Sequence, residues 1–403
     1  MTPALNAITS WLIRCGLENT PVEVWLEACC KRLVSAGIPL QRVNVTMRAH
    51  HPEIGSVAFR WYRGGENERL DFQRRADPPE DFRQSPIYYM LSNGIEEIRQ
   101  DLTVPDPDLH FPIFDELRAR GSTEYFSVKR SFLRDDNAVP EDPMNAREGV
   151  VISLTTDAPG GFTDAHLDGL RQLLSPICLT LKCGANRLMA EDITAAYMGR
   201  DASQRVLSGD ITRGSSQTIS AVIMYFDLQG FTKMSETLPG TAIIEMLNDY
   251  FGEAVDIVER HGGNVLKFMG DGMLAIFDMD QKSDARRNAI EATLDLRRAF
   301  IALNERRAAG ALATTGFTLG LHAGDVLYGN IGGRNRLDFT VIGPAVNTTS
   351  RLQGMCSTVD QAIVISAQVA VPLLESIPEL VSLGQYRLRG VRERQELFTL
   401  DES

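Results

Sequence analysis

Long apolar runs are missing from this sequence. None reaches the roughly 18 residues that a membrane-spanning helix requires. The opening stretch MTPALNAITSWLIRC has no basic leading segment and is broken by Arg14, which makes it a poor secretory signal. Cysteine is sparse, with six in 403 residues: Cys15, Cys29, Cys30, Cys178, Cys183 and Cys356. None stands at CxxC spacing, and the adjacent Cys29 and Cys30 face different sides of a helix. That pattern argues for buried thiols in a reducing, cytoplasmic compartment, and against disulfides or zinc. The six histidines are scattered and read as structural or surface groups. Positive charge is short as well, 41 Lys and Arg against 53 Asp and Glu, for a net charge of −12. An acidic chain without a local basic patch repels phosphate backbones, so no nucleic-acid partner is expected. The pairs Arg286-Arg287, Arg297-Arg298 and Arg306-Arg307 recur at helical spacing and read as solvated faces.

What is present suits a globular chain too long for one ordinary core and right for two domains. Residues 1–184 have the texture of an α+β domain. Val22, Leu26, Cys29, Cys30 and Leu33 mark an amphipathic helix over 22–36. Strand-like runs follow at 43–47, 57–62, 125–132 and 150–154, separated by polar, proline-rich loops such as 103–115 and 135–145. After the last run comes PGGFTDAHLDGLRQLLSPICLTLK, a helix that Thr163 or Asp164 can cap. Residues 185–217 read as a helical linker punctuated by Gly199, Gly209 and Gly214. Residues 218–403 form the third region.

That third region carries the chemistry. Ile219 to Phe226 reads as a strand ending in Asp227, with Gly230 letting the chain turn. A helix face over 243–258 follows, then a hairpin, 265–269 and 273–277, with Asp271 at its tip. Two carboxylates at strand ends converge if the strands are neighbours. With no histidine or thiol nearby, such a pair suits hard divalent cations bound alongside phosphates; taken singly, each Asp could simply cap a turn. Further on, 317–323 reads as a strand that Gly324-Asp325 turns back into 326–331. Asn347 and Arg351, four apart after Pro344, share a helix face and can offer an amide and a guanidinium to a polar ligand.

The motifs FDLQGFT (226–232), KFMGDG (267–272), GLHAGDV (320–326) and TVIGPAVNTTSR (340–351), in this order and spacing, resemble the class III adenylate and guanylate cyclases. The resemblance implies an α+β fold, a ferredoxin-like βαββαβ palm with additions. It implies that Asp227, Asp271 and the Leu228 carbonyl hold two Mg²⁺ or Mn²⁺ ions per site. It places Lys267 and Thr340 against the base, Asn347 on the ribose, and Arg351 on the phosphate in the transition state. Arg389, and more remotely Arg336, would meet the triphosphate tail. Lys267 can donate to adenine N1 and Thr340 can accept from the N6 amine. Guanine reverses both polarities, so the pair favours ATP, and the implied product is cyclic AMP. Many family members carry Asp at the position of Thr340, and Pro344 stands where a small acid or amide is usual. In the family the metal carboxylates and the base-reading residues come from different subunits, which implies a homodimer with two sites. A guanylate cyclase, or a catalytically silent cyclase fold acting as a dimerisation or nucleotide-binding module, are the alternatives. A diguanylate cyclase is disfavoured, because Gly262-Gly263 is followed by Asn264-Val265 instead of that family's acidic signature.

The segment ending in the 164–184 helix is similar to the last strand and C-terminal helix of GAF domains. That likeness implies a regulatory domain taking an unidentified small-molecule or protein signal, or one that only dimerises. The stretch YMGRDASQRVLSGDITRG looks like the short transducer element that precedes many bacterial cyclase domains.

Overall fold

Alternation along the strands builds the first half of the protein. The computed structural model describes residues 3–49, 53–75, 77–104, 109–132, 149–280, 284–334, 336–391 and 393–401. It divides into two units, Met1–Ile193 and Thr194–Ser403. The first unit contains helices α1 (Pro3–Leu17), α2 (Val22–Ser35), α3 (Glu80–Arg83), α4 (Pro86–Ser92), α5 (Pro112–Ala119) and most of α6 (Asp164–Met198). Its strands are β1 (Arg42–Arg48), β2 (Ile54–Tyr62), β3 (Glu68–Gln73), β4 (Glu97–Asp101), β5 (Glu124–Ser131) and β6 (Gly149–Thr156). They form one antiparallel sheet in the order β3-β2-β1-β6-β5-β4. Val43, Val45, Phe59, Phe126, Ile152 and Leu154 point one way, onto Leu12, Trp25, Leu33 and Leu170 of α1, α2 and α6. Tyr125 and Val151 point the other way and join Met90, Phe111 and Phe114. Period-two alternation thus sorts the strand side chains between two cores.

The loop expected over 103–115 instead contains the start of α5, with Pro112 in the first turn, where its missing N–H costs nothing. The second expected loop, 135–145, lies outside the described residues. Of the two capping candidates for α6, Thr163 serves. Its hydroxyl accepts from the His166 N–H at 3.2 Å, and its own N–H donates to His166 Nδ1 at 3.3 Å. Four of the six free thiols are buried, while Cys178 and Cys183 are half-buried.

In the second unit, Gly199 (φ 81°) ends α6 and opens α7 (Arg200–Leu207). Then come β7 (Ser216–Leu228), α8 (Phe231–Thr237), α9 (Gly240–Arg260), β8 (Asn264–Met269), β9 (Gly272–Asp278), α10 (Ala285–Ala309) and β10 (Phe317–Gly332). β11 (Leu337–Ile342), α11 (Pro344–Val359), β12 (Ile363–Ser366), α12 (Ala367–Ala370), β13 (Leu380–Tyr386) and β14 (Gln395–Leu400) complete it. The sheet runs β13-β14-β12-β10-β7-β9-β8, with β11 paired to β10. The four at one end of this order, β10-β7-β9-β8, alternate with α9 and α10 as a βαββαβ palm, the α+β fold expected from the motifs. One sheet face packs Val222, Met224 and Phe226 under Met246, Tyr250, Ile290 and Phe300. The other packs Ile219, Ala221 and Ile223 with Leu274, Tyr328 and Phe339. β7 is therefore covered on both sides.

Two expectations are corrected here. The chain does not turn at Gly324-Asp325. β10 is one unbroken strand that pairs with β7 from Phe317 opposite Leu228 to Gly329 opposite Ser216. Its glycines serve close approach, not reversal. A Cβ at Gly320 would sit 2.6 Å from the Thr349 carbonyl oxygen and 2.7 Å from the Gln353 nitrogen, and one at Gly324 would sit 3.0 Å from the Ala345 Cβ. Those missing methyls let α11 lie directly on the strand. The second correction concerns Arg307, which is not on a solvated face. It is 4% exposed, bonded through Nη1 to the Asp249 carboxylate and through Nε to the Ala313 carbonyl at 2.8 Å, with Tyr250 beside it.

The glycine argument is testable by calorimetry. Gly320→Ala should destabilise the second unit by roughly 1–3 kcal/mol through overpacking. Gly333→Ala, where a Cβ meets nothing within 4 Å, should be close to neutral. Equal effects at the two positions would remove the close-packing explanation.

Candidate active site

Asp227 is the penultimate residue of β7, and its cross-strand neighbour is Gly272, the first residue of β9. Asp271 precedes that glycine in the β8–β9 turn, where Gly270 adopts φ 68°. The Leu228 N–H donates to the Asp271 carbonyl at 3.2 Å, so a main-chain bond ties the two carboxylate-bearing segments together. A side chain at 272 would crowd them, since a Cβ there lies 3.2 Å from Asp227 Oδ1 and 3.1 Å from the Phe226 carbonyl. Gly230, at φ 68°, then turns the chain into α8.

The electrostatics of this corner are unbalanced. Burial first, and the neighbouring Asp271 second, push the Asp227 carboxyl up to about 6. The same burial and the same two carboxylates raise the Tyr225 phenol, two residues back on the same strand face. Among the described residues no cationic side chain offsets the shifts at Asp227 and Tyr225. Among the described residues there is no group of three or more His, Cys, Asp or Glu able to hold an ion alone. Two carboxylates and the Leu228 carbonyl oxygen fit a hard divalent cation that keeps open positions for phosphate oxygens and water. A cation there would also relieve the repulsion that lifts Asp227.

Across the sheet, a bulge shifts the β8–β9 register between Val265 and Lys267. Lys267 Nζ donates to Asp338 Oδ2 of β11 at 3.0 Å. Asp338, the partner of the candidate residue Lys267, is absent from the sequence reading. Thr340, two residues on along β11, is 5% exposed and its hydroxyl has no partner among the described residues. A buried unsatisfied hydroxyl is costly, and this one shares its strand face with Asp338, the partner of Lys267.

α11 starts directly after β11 and carries Asn347 and Arg351, both exposed. The Arg351 guanidinium lies over Gly390, where a Cβ would be 3.4 Å from Nη2, next to the exposed Arg389. Arg336 is exposed just ahead of β11, with no side-chain hydrogen bond or ion pair among the described residues. The inward stripe of α11 is Thr349, Leu352 and Cys356, and Gln353 falls within it. Its Nε2 donates to Thr318 Oγ1 at 2.7 Å and reaches Asp227 Oδ2 at 3.4 Å. Gln353 too was missed, although a polar residue in an apolar stripe is a readable signal. Residues two apart on a helix project about 200° from each other. Since Gln353 faces Asp227, Arg351 faces away from the carboxylates of its own chain.

The motif-bearing half matches the family of adenylate and guanylate cyclase catalytic domains over residues 214–402. The C-terminal unit is a class III cyclase catalytic domain. It is 33% identical over 178 residues to an adenylate cyclase of Anabaena cylindrica, covering 43% of this chain and 34% of that protein. The chain spans only about a third of the length of the curated relatives it matches. Among solved structures, the adenylyl cyclase CyaB from P. aeruginosa is 26% identical, covering 47% of this chain and 97% of that one with a TM-score of 0.43. The guanylyl cyclase Cya2 is 27% identical, covering 46% and 93% with a TM-score of 0.41. Among the described residues of the chain, no helix is long and apolar enough to cross a membrane.

The raised Asp227 carboxyl makes the cyclase domain's stability depend on pH in a defined direction. Its folded pKa of about 6 lies above the ordinary value of 3.8. The fold therefore favours the protonated form. The contribution is fully present below pH 3.8 and is lost as pH rises through about 6. In EDTA, Asp227→Asn should melt several degrees above the parent at pH 7.5 and close to it at pH 4. Mn²⁺ should raise the parent and leave the variant unmoved. A variant less stable than the parent at pH 7.5 without metal would sink this account.

Proposed function

We propose that the protein is an adenylate cyclase that converts ATP to 3′,5′-cyclic AMP and pyrophosphate at two sites shared across a homodimer. The converging, uncompensated Asp227–Asp271 pair is the observation that carries the reading. Asp227, Asp271 and the Leu228 carbonyl would hold two Mg²⁺ or Mn²⁺ ions. Bound there, the ions would supply charge neutralisation on the phosphates and a lowered pKa at the ribose 3′-hydroxyl. The 3′-oxygen attacks the α-phosphorus, its proton is lost, and the bond to the pyrophosphate oxygen breaks. Because nucleophile and phosphate belong to one molecule, positioning and electrostatics do most of the work.

The remaining residues position the substrate. Lys267, held by Asp338, donates to adenine N1. The Thr340 hydroxyl accepts from the N6 amine and so gains the partner it lacks among the described residues. Asn347 orients the ribose, and Arg351 meets the charge that develops on the α-phosphate. Arg389, beside Arg351, suits the triphosphate tail, with Arg336 as a further contact. The opposite projections of Gln353 and Arg351 support a site in which Arg351 serves the partner's carboxylates. The N-terminal unit is read as a regulatory domain of the GAF type.

Incubating the protein with ATP or with GTP plus Mn²⁺, then identifying the cyclic product by mass, tests the reaction. Cyclic AMP should dominate, with Asp227→Ala and Asp271→Ala inactive at saturating metal. Cyclic GMP as the principal product would overturn the substrate assignment, and no cyclic product would overturn the activity.

Complementation tests the shared site. Asp227→Ala and Arg351→Ala should each be inactive alone. In a mixed dimer one site collects both defects and the other none. Co-expressed in equal amounts, half the dimers are mixed and each has one good site, so about a quarter of the parent activity should return. Verified mixed dimers without activity would place Arg351 in the site of its own chain.

A further inference from the structure

The Asp227 carboxylate presents its two oxygens to different surroundings. Its cross-strand neighbours are Gly272 on β9 and Thr318 on β10. On the β9 side there is no side chain, and a Cβ at Gly272 would lie 3.2 Å from Oδ1. Oδ1 is thus on the side of the turn that carries Asp271. On the β10 side, Oδ2 meets the Gln353 amide nitrogen at 3.4 Å. Among the described residues this is the one side-chain hydrogen bond that Asp227 receives.

The nitrogen that makes this contact is itself held in place. A side-chain amide nitrogen has two hydrogens to donate. One goes to Thr318 Oγ1 at 2.7 Å, the shorter bond, and the other reaches Asp227. The stem is fixed as well, because Gln353 lies where α11 rests on β10. A Cβ at Gly320 would be 2.7 Å from the Gln353 nitrogen and 3.2 Å from its Cβ. One turn further along, the Cys356 thiol donates to the Leu319 carbonyl at 3.6 Å. The side chain therefore starts from a clamped helix and ends on the strand neighbour of its target.

The chemistry of the amide suits this place. A carboxylate at 353 would only accept and would set a further negative charge against Asp227; an apolar chain would offer no donor. At 3.4 Å the contact leaves the carboxyl raised, so what it fixes is direction and not charge. Groups that hydrogen-bond a metal-binding carboxylate decide which oxygen it offers and at what angle. Direction matters most for Mg²⁺, which tolerates little departure from octahedral geometry.

We propose that Gln353 is a positioning residue for the metal-binding pair. Anchored on Thr318, its amide holds Asp227 Oδ2 and leaves Oδ1, on the Asp271 side, directed at the divalent cation. This role rests on the two-carboxylate metal site proposed above.

Melting of the full chain with rising Mn²⁺ and no nucleotide reads the cation site directly, and rates with ATP at low and saturating Mn²⁺ read its consequence. Gln353→Met keeps the length of the side chain and removes the donor. It should need at least about tenfold more Mn²⁺ than the parent for half of the metal-induced gain in melting temperature. Its deficit in turnover at low Mn²⁺ should largely disappear at saturating Mn²⁺, with KM for ATP within about twofold of the parent's. Thr318→Val removes the anchor alone and should move the Mn²⁺ midpoint in the same direction by less. The double variant should match Gln353→Met, because Thr318 acts through the amide. An undiminished Mn²⁺ response in Gln353→Met would overturn the positioning role and leave the metal site standing. So would a loss of turnover independent of Mn²⁺ concentration, or a double variant in which the two shifts add. A parent protein that Mn²⁺ does not stabilise would overturn the metal site itself, and this role with it.

Discussion

The ladder between β7 and β10 is the constraint on which the cyclase domain depends. It pairs the two strands without interruption from Leu228 opposite Phe317 to Ser216 opposite Gly329. A register slip of one residue would move Asp227 to the opposite sheet face and expose the alternating core on both sides of β7. Because β7 also pairs with β9, the same register sets Asp227 against Gly272 and brings Asp271 within a main-chain bond of Leu228. The two carboxylates are held together by backbone geometry against their own repulsion. Side-chain packing alone could let them drift apart; two hydrogen-bonded neighbours on a doubly buried strand do not.

The helix that lies on this ladder has two chemical faces. α11 approaches closely only because Gly320 and Gly324 carry no side chain there. Its inner face places Gln353 on Thr318 and Asp227, while its outer face presents Asn347 and Arg351. One rigid element thus ties an anchored polar contact on the sheet to an exposed cation on the opposite side.

Much of this was legible in the sequence because it lies in local pattern. The strand ending in Asp227, the hairpin carrying Asp271, and the helix that starts at Pro344 follow from periodicity and turn chemistry, and the motif spacing gave the palm. What was not legible depended on partners distant in the chain. Gly324-Asp325 resembles a turn until a helix is seen to rest on it. Arg307 belongs to a run of arginine pairs and is distinguished only by Asp249, far back in α9. Asp338 and Gln353 gain meaning from Lys267 and Asp227. α1 shows Leu5, Ile8, Leu12 and Cys15 at helical spacing, all buried, in a stretch whose composition speaks only to export.

The short helix α7 reaches the strand that carries Asp338 and Thr340 through aromatic packing. The Arg205 guanidinium stacks 5.0 Å from the Tyr328 ring and 5.9 Å from Phe339, and those two rings meet edge to face at 4.8 Å. Phe339 stands between Asp338 and Thr340 on β11. At the other end of α7, Gly199 fits against the Val265 carbonyl, two residues before Lys267. A displacement of α7 by a fraction of an ångström is therefore felt on both strands that carry Lys267 and Thr340. If the base is read by that pair, purine preference is a mechanical property of the linker as well as a chemical property of two side chains. Substitutions in α7, remote from any nucleotide atom, would then retune selectivity and leave the phosphate chemistry intact.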